Sequence, residues 1–482
     1  MNDTRIDLPR FAVVGHPNKG KSSIVATLAQ DDSVYIDRIA GTTTTAQHYP
    51  MRVDGNILYE LIDTPGFQRA RATLAWLNKH CNDVSQRPLV VKQFCEQHRN
   101  QEQFRNECEL LQPIVDGAGI IYVVDGSRPY GQEYNAEMEI LRWTGRPSLA
   151  LINPIDNDNY VADWETALGQ YFKTVRIFNA HRAEFVKRIG LLTVFGQLQQ
   201  NWQQPLERAV TRLKEERQHQ HQQAAEEITA LLIECLQHQE KQYLPTAIVQ
   251  SSSSENNVAE STVKSLLAKK YQTAIKHTEL KCRRRVEEIY NYLQLELQER
   301  DLASVDRDSF DQDLFDQDTW YLFGLSKKQL ITAAAGAGAS AGVLVDIGLG
   351  GHSLLLGSVV GGLIGGASAW RFSDKIANFT VKGLPTGGKT LSYGPAVHPN
   401  FPFVVLGRAL RHHQLLCTRT HAVREALAID ENSPLTDLSG EDKSQLMKIF
   451  NDVRKGKKVL QHQPQLTTLI LKQLTQSDGQ KT

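Results

Sequence analysis

Residues 11 to 23 read Phe11-Ala-Val-Val-Gly15-His-Pro-Asn-Lys-Gly20-Lys21-Ser22-Ser23. A short run of β-forming residues ends at Gly15 and passes into Gly-x-x-x-x-Gly-Lys-Ser, after which Ile24, Val25 and Leu28 recur at helical spacing. Strand, glycine turn and helix in that order is the context a phosphate-binding loop requires. Gly15 and Gly20 let the backbone turn its N–H groups inward, and the helix N-terminus adds the positive end of its dipole. Phosphate oxygens then fall to Lys21 and to the backbone of Asn18, Lys19, Gly20, Ser22 and Ser23. Lys21 reaches the β- and γ-phosphates, while the Ser22 hydroxyl ligates Mg²⁺. A chance glycine turn is the bland alternative, and the segments downstream weigh against it.

A polar stretch follows the helix and ends in Gly41-Thr-Thr43-Thr-Thr45. A threonine in such a segment places its hydroxyl on Mg²⁺ and its N–H on the γ-phosphate, so Thr43 orders only with a triphosphate bound. Gln47 to Val53, an Asp54-Gly55 turn, and Asn56 to Ile62 read as a β-hairpin. Its second strand delivers Asp63-Thr64-Pro65-Gly66. An acid at the end of a buried strand holds Mg²⁺ through water, and Gly66 frees an N–H for the γ-phosphate. Taken in order, Gly-His-Pro-Asn-Lys-Gly-Lys-Ser, Gly-Thr-Thr and Asp-Thr-Pro-Gly resemble the Era/EngA/TrmE branch of the translation-factor-class GTPases.

That resemblance implies a guanine reader of the form Asn-Lys-x-Asp. Here Ser148-Leu-Ala-Leu-Ile-Asn153 is a buried-strand pattern that ends in Asn153-Pro154-Ile155-Asp156. Asp156 would accept from guanine N1 and N2, and Asn153 would contact N7 and tie the loop down. Pro154 stands where the family has a lysine covering the base, so guanine preference with weakened affinity is expected. Thr174 to Phe178 reads as a last strand leading to Asn179-Ala180, in place of the family's Ser-Ala that closes the base pocket. After Gly66 comes Phe67, where related enzymes of another branch carry a water-orienting glutamine, with Gln68 next to it. Similar proteins with an apolar residue there position the water otherwise, and many use K⁺ held partly by the asparagine matching Asn18. The resemblance therefore implies a GTPase with slow intrinsic turnover, stimulated by K⁺ or a partner, with Lys21, Thr43 and Gly66 as the catalytic groups. A nucleotide-binding pseudoenzyme is the alternative.

Residues 70 to 113 are longer than the family's usual helix at that place. Leu74, Leu77, Val90, Phe94, Phe104 and Leu110 suggest two or three helices lying over the nucleotide site or a partner face. Ala118 to Asp125 is an uninterrupted apolar run of the kind buried parallel strands show. Lys+Arg and Asp+Glu balance at 54 each, so no global field draws the chain to nucleic acid or anionic lipid. Six scattered cysteines without a C-x-x-C pair fit a reducing cytosol rather than a disulfide framework or zinc site. Met1 to Asp7 lacks the apolar core of a signal peptide, so a cytoplasmic chain is expected.

Beyond about residue 200 the chain turns Gln-, Glu-, Lys- and Leu-rich. Leu206, Val210 and Leu213, then Ala224, Ile228, Leu231 and Cys235, form one amphipathic stripe, and Val263 to Leu297 another. With Pro245 and Ser251 to Ser254 between them, 203–300 reads as an antiparallel helical hairpin. His219 and His221 fall in a polar gap, read as a solvated helix face before a metal site. Lys281 and Arg283 to Arg285 are read as surface charge before a phosphate or lipid contact. An acidic linker, 301–326, precedes the Ala/Gly-rich apolar stretch 327–372. Its two runs have glycines four apart, which suits close helix pairing in lipid or in a soluble core. Each run spans only about 25 Å as a helix, short of a roughly 30 Å hydrocarbon layer. Aromatic and basic residues at both outer ends favour the inner membrane all the same, and the two readings stand side by side.

In the C-terminal part, 373–482, Gly383-Leu-Pro-Thr-Gly-Gly388-Lys389-Thr390 matches the phosphate-loop pattern. Prolines and a glycine prevent the helix that must follow, so a glycine turn between strands is expected instead. Phe403 to Arg424 and Asp442 to Val459 read as helices before a polar tail. The whole layout is similar to a bacterial group in which an Era-like GTPase precedes a C-terminal domain of unknown function. The fold expected is an α/β phosphate-loop domain over 1–200, a mostly parallel mixed sheet with helices on both faces. A largely α-helical region and a small mixed C-terminal part follow. The function expected is a switch that cycles between GTP and GDP with Mg²⁺ and signals to an unknown protein partner. The rivals are a dynamin-like membrane-tethering GTPase, inserted or peripheral at the inner membrane through 327–372, and an RNA- or ribosome-associated factor. The last is ranked lowest, with no nucleic-acid partner expected, because no recognisable RNA-binding module follows.

Overall fold

The computed structural model describes residues 8–29, 45–53, 55–181, 183–245, 253–290, 314–315, 320, 322–337, 377–383, 388–418 and 435–477. The chain divides into two compact units, one comprising Met1–Gln218 with Cys417–Glu425, the other His219–Leu416 with Ala426–Thr482.

In the first unit the elements run β1 (Arg10–Val14), α1 (Lys21–Ala29), β2 (Gln47–Val53), β3 (Asn56–Asp63), α2 (Ala70–His80), α3 (Arg87–His98) and α4 (Arg105–Val115). They continue with β4 (Gly119–Asp125), α5 (Glu133–Trp143), β5 (Ser148–Asn153), α6 (Val161–Leu168), β6 (Val175–Ile177), α7 (Phe185–Leu198) and α8 (Gln200–Gln237), which carries on into the second unit. The sheet has the order β2-β3-β1-β4-β5-β6. Only β2 runs antiparallel to its neighbour; β1 lies parallel to β3 with Val13 opposite Asp63, and β4 to β5 with Asp125 opposite Asn153. Chain order reverses at β1, which has β3 on one side and β4 on the other. Ligands of open α/β sheets sit beyond the carboxyl ends of the strands at such a point.

Alternation along the strands sends side chains into two cores. Ala12, Val14, Ile62, Ile120, Tyr122 and Val124 face one side, and Phe11, Val13, Leu61, Ile121 and Val123 the other. Both faces are covered, which is why β4 reads as a continuous apolar run. On the second face α1, α7 and the start of α8 close the core, with Phe11 stacked on Phe195 at 4.5 Å and edge-on to Trp202 at 5.0 Å. Leu206, Ala209 and Leu213 belong to that core as well, so the compact unit runs past the 1–200 read from the sequence.

On the first face lie α2, α3 and α4. Leu77, Val90, Phe94, Leu111 and Ile114 share one core with Ala12, Ile62 and Tyr122. The inserted helices, expected over the nucleotide site or a partner face, build the covering layer on this side of the sheet. Their apolar stripe is spent on the sheet, each fully buried Leu or Phe contributing about 1.5–3 kcal/mol. Cys95 and Cys108 are buried in the same layer as core thiols.

The second unit adds β7 (Glu240–Pro245), α9 (Ser253–Ile289), α10 (Lys327–Gly336), β8 (Ala377–Gly383), β9 (Gly388–Ala396), α11 (Phe401–Thr418), α12 (Gly440–Arg454) and α13 (Val459–Ser477). The helices α8 and α9 do run antiparallel: Thr278 donates to Glu234 at 3.0 Å and Arg285 lies 3.8 Å from Glu227. Between them the polar loop contains a strand, β7, which pairs antiparallel with β9 in a sheet of order β7-β9-β8. Gly383 ends β8 and Gly388 begins β9, and the two strands pair antiparallel, so no helix follows the second glycine-rich stretch. His219 is exposed, but His221 is buried with its ring 5.3 Å from that of His413, so it is not on a solvated face. Among the described residues no His, Cys, Asp and Glu cluster could hold a metal, and no helix is long and apolar enough to cross a membrane. Of the apolar stretch 327–372 only its first part is described. There Leu330, Ala333 and Ala334 are buried, and a Cβ at Gly336 would stand 2.3 Å from Ser444 of α12.

Candidate phosphate-binding site

The loop between β1 and α1 has the backbone its glycines permit. Gly15 (φ 145°), Asn18 (61°) and Gly20 (81°) all lie at positive φ. A Cβ at Gly15 would stand 2.4 Å from the Val123 carbonyl oxygen, and one at Gly20 only 2.3 Å from Asn153 Nδ2. Both glycines are thus required by close approach as well as by conformation. Lys21 opens α1, is 8 % exposed, and donates to the His16 carbonyl at 3.1 Å, reaching back over the loop. Burial pushes its ammonium below the usual lysine range, with Asp63 and Glu137 pulling the other way. A phosphate would add anionic charge beside this buried ammonium.

Ser22 donates to Asp63 Oδ2 at 2.7 Å. The two come from α1 and the end of β3, and Asp63 is 2 % exposed. A hydroxyl and a carboxylate meeting beside a phosphate loop form an all-oxygen donor set that suits a small hard divalent cation. Ser23 packs into the first turn of α1 with a buried side chain. Gly66 stands against Pro17 of the loop, where a Cβ would meet the proline at 2.6 Å. Phe67 is 1 % exposed and its N–H donates to Gly15 O at 3.3 Å, so its ring is core and orients no water. Gln68 is exposed. Thr43 lies outside the described residues.

The residues expected to read the base also converge. Asn153, fully buried, donates from Nδ2 to Lys19 O at 3.3 Å and accepts at Oδ1 from Ala180 N at 3.2 Å. Asn179 donates to Pro154 O at 2.7 Å. One amide thus joins the phosphate loop to the loops after β5 and β6. Asp156 stands exposed in the loop after β5, free to meet a ligand from solvent. Pro154 brings no ammonium, and the nearby Lys19 Nζ lies 3.9 Å from Asp125 Oδ2. Burial lowers the Lys19 pKa while Asp125 raises it.

Sequence reading missed the acids behind this site. Glu137 of α5 is 2 % exposed, with its oxygens on His16 Nδ1 at 2.8 Å and the Tyr122 hydroxyl at 2.9 Å. Glu107 and Glu109 of α4 take backbone N–H groups of the loops beside β3 and β2. Their distance in sequence leaves no local signal; only an acid on the apolar side of a helical stripe hints at a buried partner.

A family profile described as "50S ribosome-binding GTPase" matches residues 10–154, and one described as "Domain of unknown function (DUF3482)" matches residues 165–474. GTPase Der of Agathobacter rectalis is 46 % identical over 67 residues, 14 % of this chain and 15 % of that protein. GTPase Der of Malacoplasma penetrans is 26 % identical over 171 residues, 36 % of this chain and 32 % of that one. The chain thus spans less than a third of the length of these relatives. Among solved structures, Era of Aquifex aeolicus bound to GDP and AlF4⁻ aligns with 36 % of this chain and 51 % of its own, at 17 % identity and a TM-score of 0.24. Era in complex with MgGDPNP and a piece of 16S ribosomal RNA aligns over the same shares, at 16 % identity and a TM-score of 0.25.

Proposed function

The chain belongs to the family of the domain of unknown function DUF3482, carried behind a GTPase domain, and from that premise we propose that it binds GTP and hydrolyses it to GDP and phosphate as a conformational switch. The observation that carries the reading is the meeting of Ser22 with Asp63 at 2.7 Å, beneath a loop whose buried Lys21 opens a helix. Lys21 and the N–H groups of residues 18 to 23 hold the phosphates. Ser22, Thr43 and Asp63 would hold Mg²⁺, which when bound neutralises charge on the phosphoryl oxygens. Gly66 offers its N–H to the γ-phosphate. Asp156 accepts from guanine N1 and N2, with Asn153, Asn179 and Ala180 shaping the loops around the base.

Phe67 is buried, so the chain provides no side chain at that position to align a water. Slow intrinsic turnover follows, raised by a protein partner or by K⁺ beside Asn18. The description of the matched GTPase profile names the ribosome, which supports a second reading as a ribosome-associated factor and counts against the expectation of no nucleic acid. A cytoplasmic chain is our reading of its location. Flotation of the full protein with vesicles would replace it with the membrane-tethering alternative, and co-sedimentation with ribosomes would establish the second.

Equilibrium binding of GTP, GDP and ATP to the full chain tests the central claim. GTP and GDP are expected to bind with magnesium and ATP to bind far more weakly. Asp156→Ala should weaken guanine nucleotides about 10- to 100-fold, the loss of charged hydrogen bonds. Comparable ATP binding, or triphosphate retention unchanged by Lys21→Ala, would remove the reading.

A further inference from the structure

The loop after β3 is gripped from two sides. On one, Phe67 N–H donates to Gly15 O and Gly66 abuts Pro17. On the other, Glu107 Oε1 accepts from Gln68 N at 2.9 Å and from Arg69 N at 2.5 Å. Glu107 is 1 % exposed. A carboxylate removed from water to that degree relies on donors supplied by the chain, and two here are backbone N–H groups of this loop. The contact fixes the backbone and takes no account of the loop's side chains. Two residues along α4, Glu109 accepts from Ala46 N at 3.2 Å, at the start of β2. The helix itself is a fixed post, because Leu110, Leu111 and Ile114 are buried in the sheet's core.

We propose that Glu107 is a positioning residue, which holds the Gly66–Phe67 backbone against the phosphate loop and so sets how strongly the protein distinguishes a nucleoside triphosphate from a diphosphate. The inference rests on the reading of the site as a GTPase and adds a role for the inserted helices: they carry the acid that tunes the γ-phosphate contact. A diphosphate has no group to meet Gly66, so its affinity rests on the phosphate loop and the base contacts and not on the loop after β3. Removing Glu107 loosens the loop that the γ-phosphate must find in place, and the triphosphate then bears the ordering cost.

The test uses the full chain with GDP and a non-hydrolysable GTP analogue, together with thermal unfolding. Glu107→Ala is expected to weaken the triphosphate analogue about tenfold or more and to leave GDP within about twofold. Glu107→Gln, which keeps a weaker acceptor of the same shape, should lose only about threefold. Equal weakening of both nucleotides, the mark of a merely structural residue, overturns the proposal, and so does an unchanged ratio. If Glu107→Ala does not fold, Glu107→Gln decides alone: a fall in the triphosphate-to-diphosphate ratio supports the proposal and an unchanged ratio ends it. Wild-type protein keeps the two questions apart. Should it prefer adenine nucleotides, the guanine reading falls, and the same ratio measured with ADP and an ATP analogue still decides the role of Glu107.

Discussion

A buried side-chain amide with both ends engaged ties together whatever it touches, and Asn153 does so between Lys19 and Ala180. Leaving either end unmade in a dry site costs more than the bond itself contributes. A second residue in the fold shows the same economy in a form that pH can read. His398 accepts from Asn400 N–H at 3.2 Å through Nδ1, and its ring stands edge-on to Trp320 at 4.9 Å. Burial lowers its pKa from 6.5 to about 4. The folded protein therefore refuses a proton that the unfolded chain accepts. Stability of the second unit should fall as pH drops from about 6.5 and level off below about 4, a loss of about 2 kcal/mol with the ring partly open to water. Thermal unfolding of wild type and His398→Asn at about pH 7 and about pH 4.5 checks this. Wild type should lose the larger amount; equal losses would assign the pH dependence to other groups.

Elements whose pattern is local are legible in the sequence. The strands β1, β4 and β5 announce themselves because both faces of each are covered, β3 through its Asp54-Gly55 turn, and the phosphate loop because its ligands are contiguous. β7 did not, since Glu240-Lys-Gln-Tyr-Leu-Pro245 alternates poorly and is a strand only through its pairing with β9, where Glu240 lies opposite Tyr393. α13 was hidden by glutamines, threonines and Pro464, although Leu466, Ile470 and Leu474 at four-residue spacing are all buried. The acids Glu107 and Glu137 escaped for the same reason as β7: their partners are far away in sequence. Asn400, ahead of α11, is a further instance. Its side chain accepts from Leu325 N at 2.9 Å and donates to Leu325 O at 3.1 Å, doing for one residue what a neighbouring strand would do. Asn400→Ala strands two backbone groups in a site where Asn400 is 7 % exposed, and should cost about 2–4 kcal/mol. The urea midpoint of the second unit reports it. A loss under about 1 kcal/mol would mean that water reaches Leu325 and replaces the amide.

At the scale of the whole molecule, a switch needs a reader. The cores on the two sheet faces are closed by residues up to Leu213, and the second unit has buried side chains of its own from Gln220 onward. Two calorimetric transitions are therefore expected from the full chain. A nucleotide at about 100 times its dissociation constant stabilises the unit that binds it by about 2.7 kcal/mol, which for about 200 residues raises that transition by roughly 5–10 °C. GDP should move the first transition alone. A ligand shifts a conformational equilibrium only by its differential affinity for the two states, so a second unit that reads the γ-phosphate must respond to the GTP analogue and not to GDP. The expected record is thus one transition moved by GDP and both moved by the analogue. Should the second transition stay in place with either nucleotide, the helical region does not read the switch, and the reader is a separate protein.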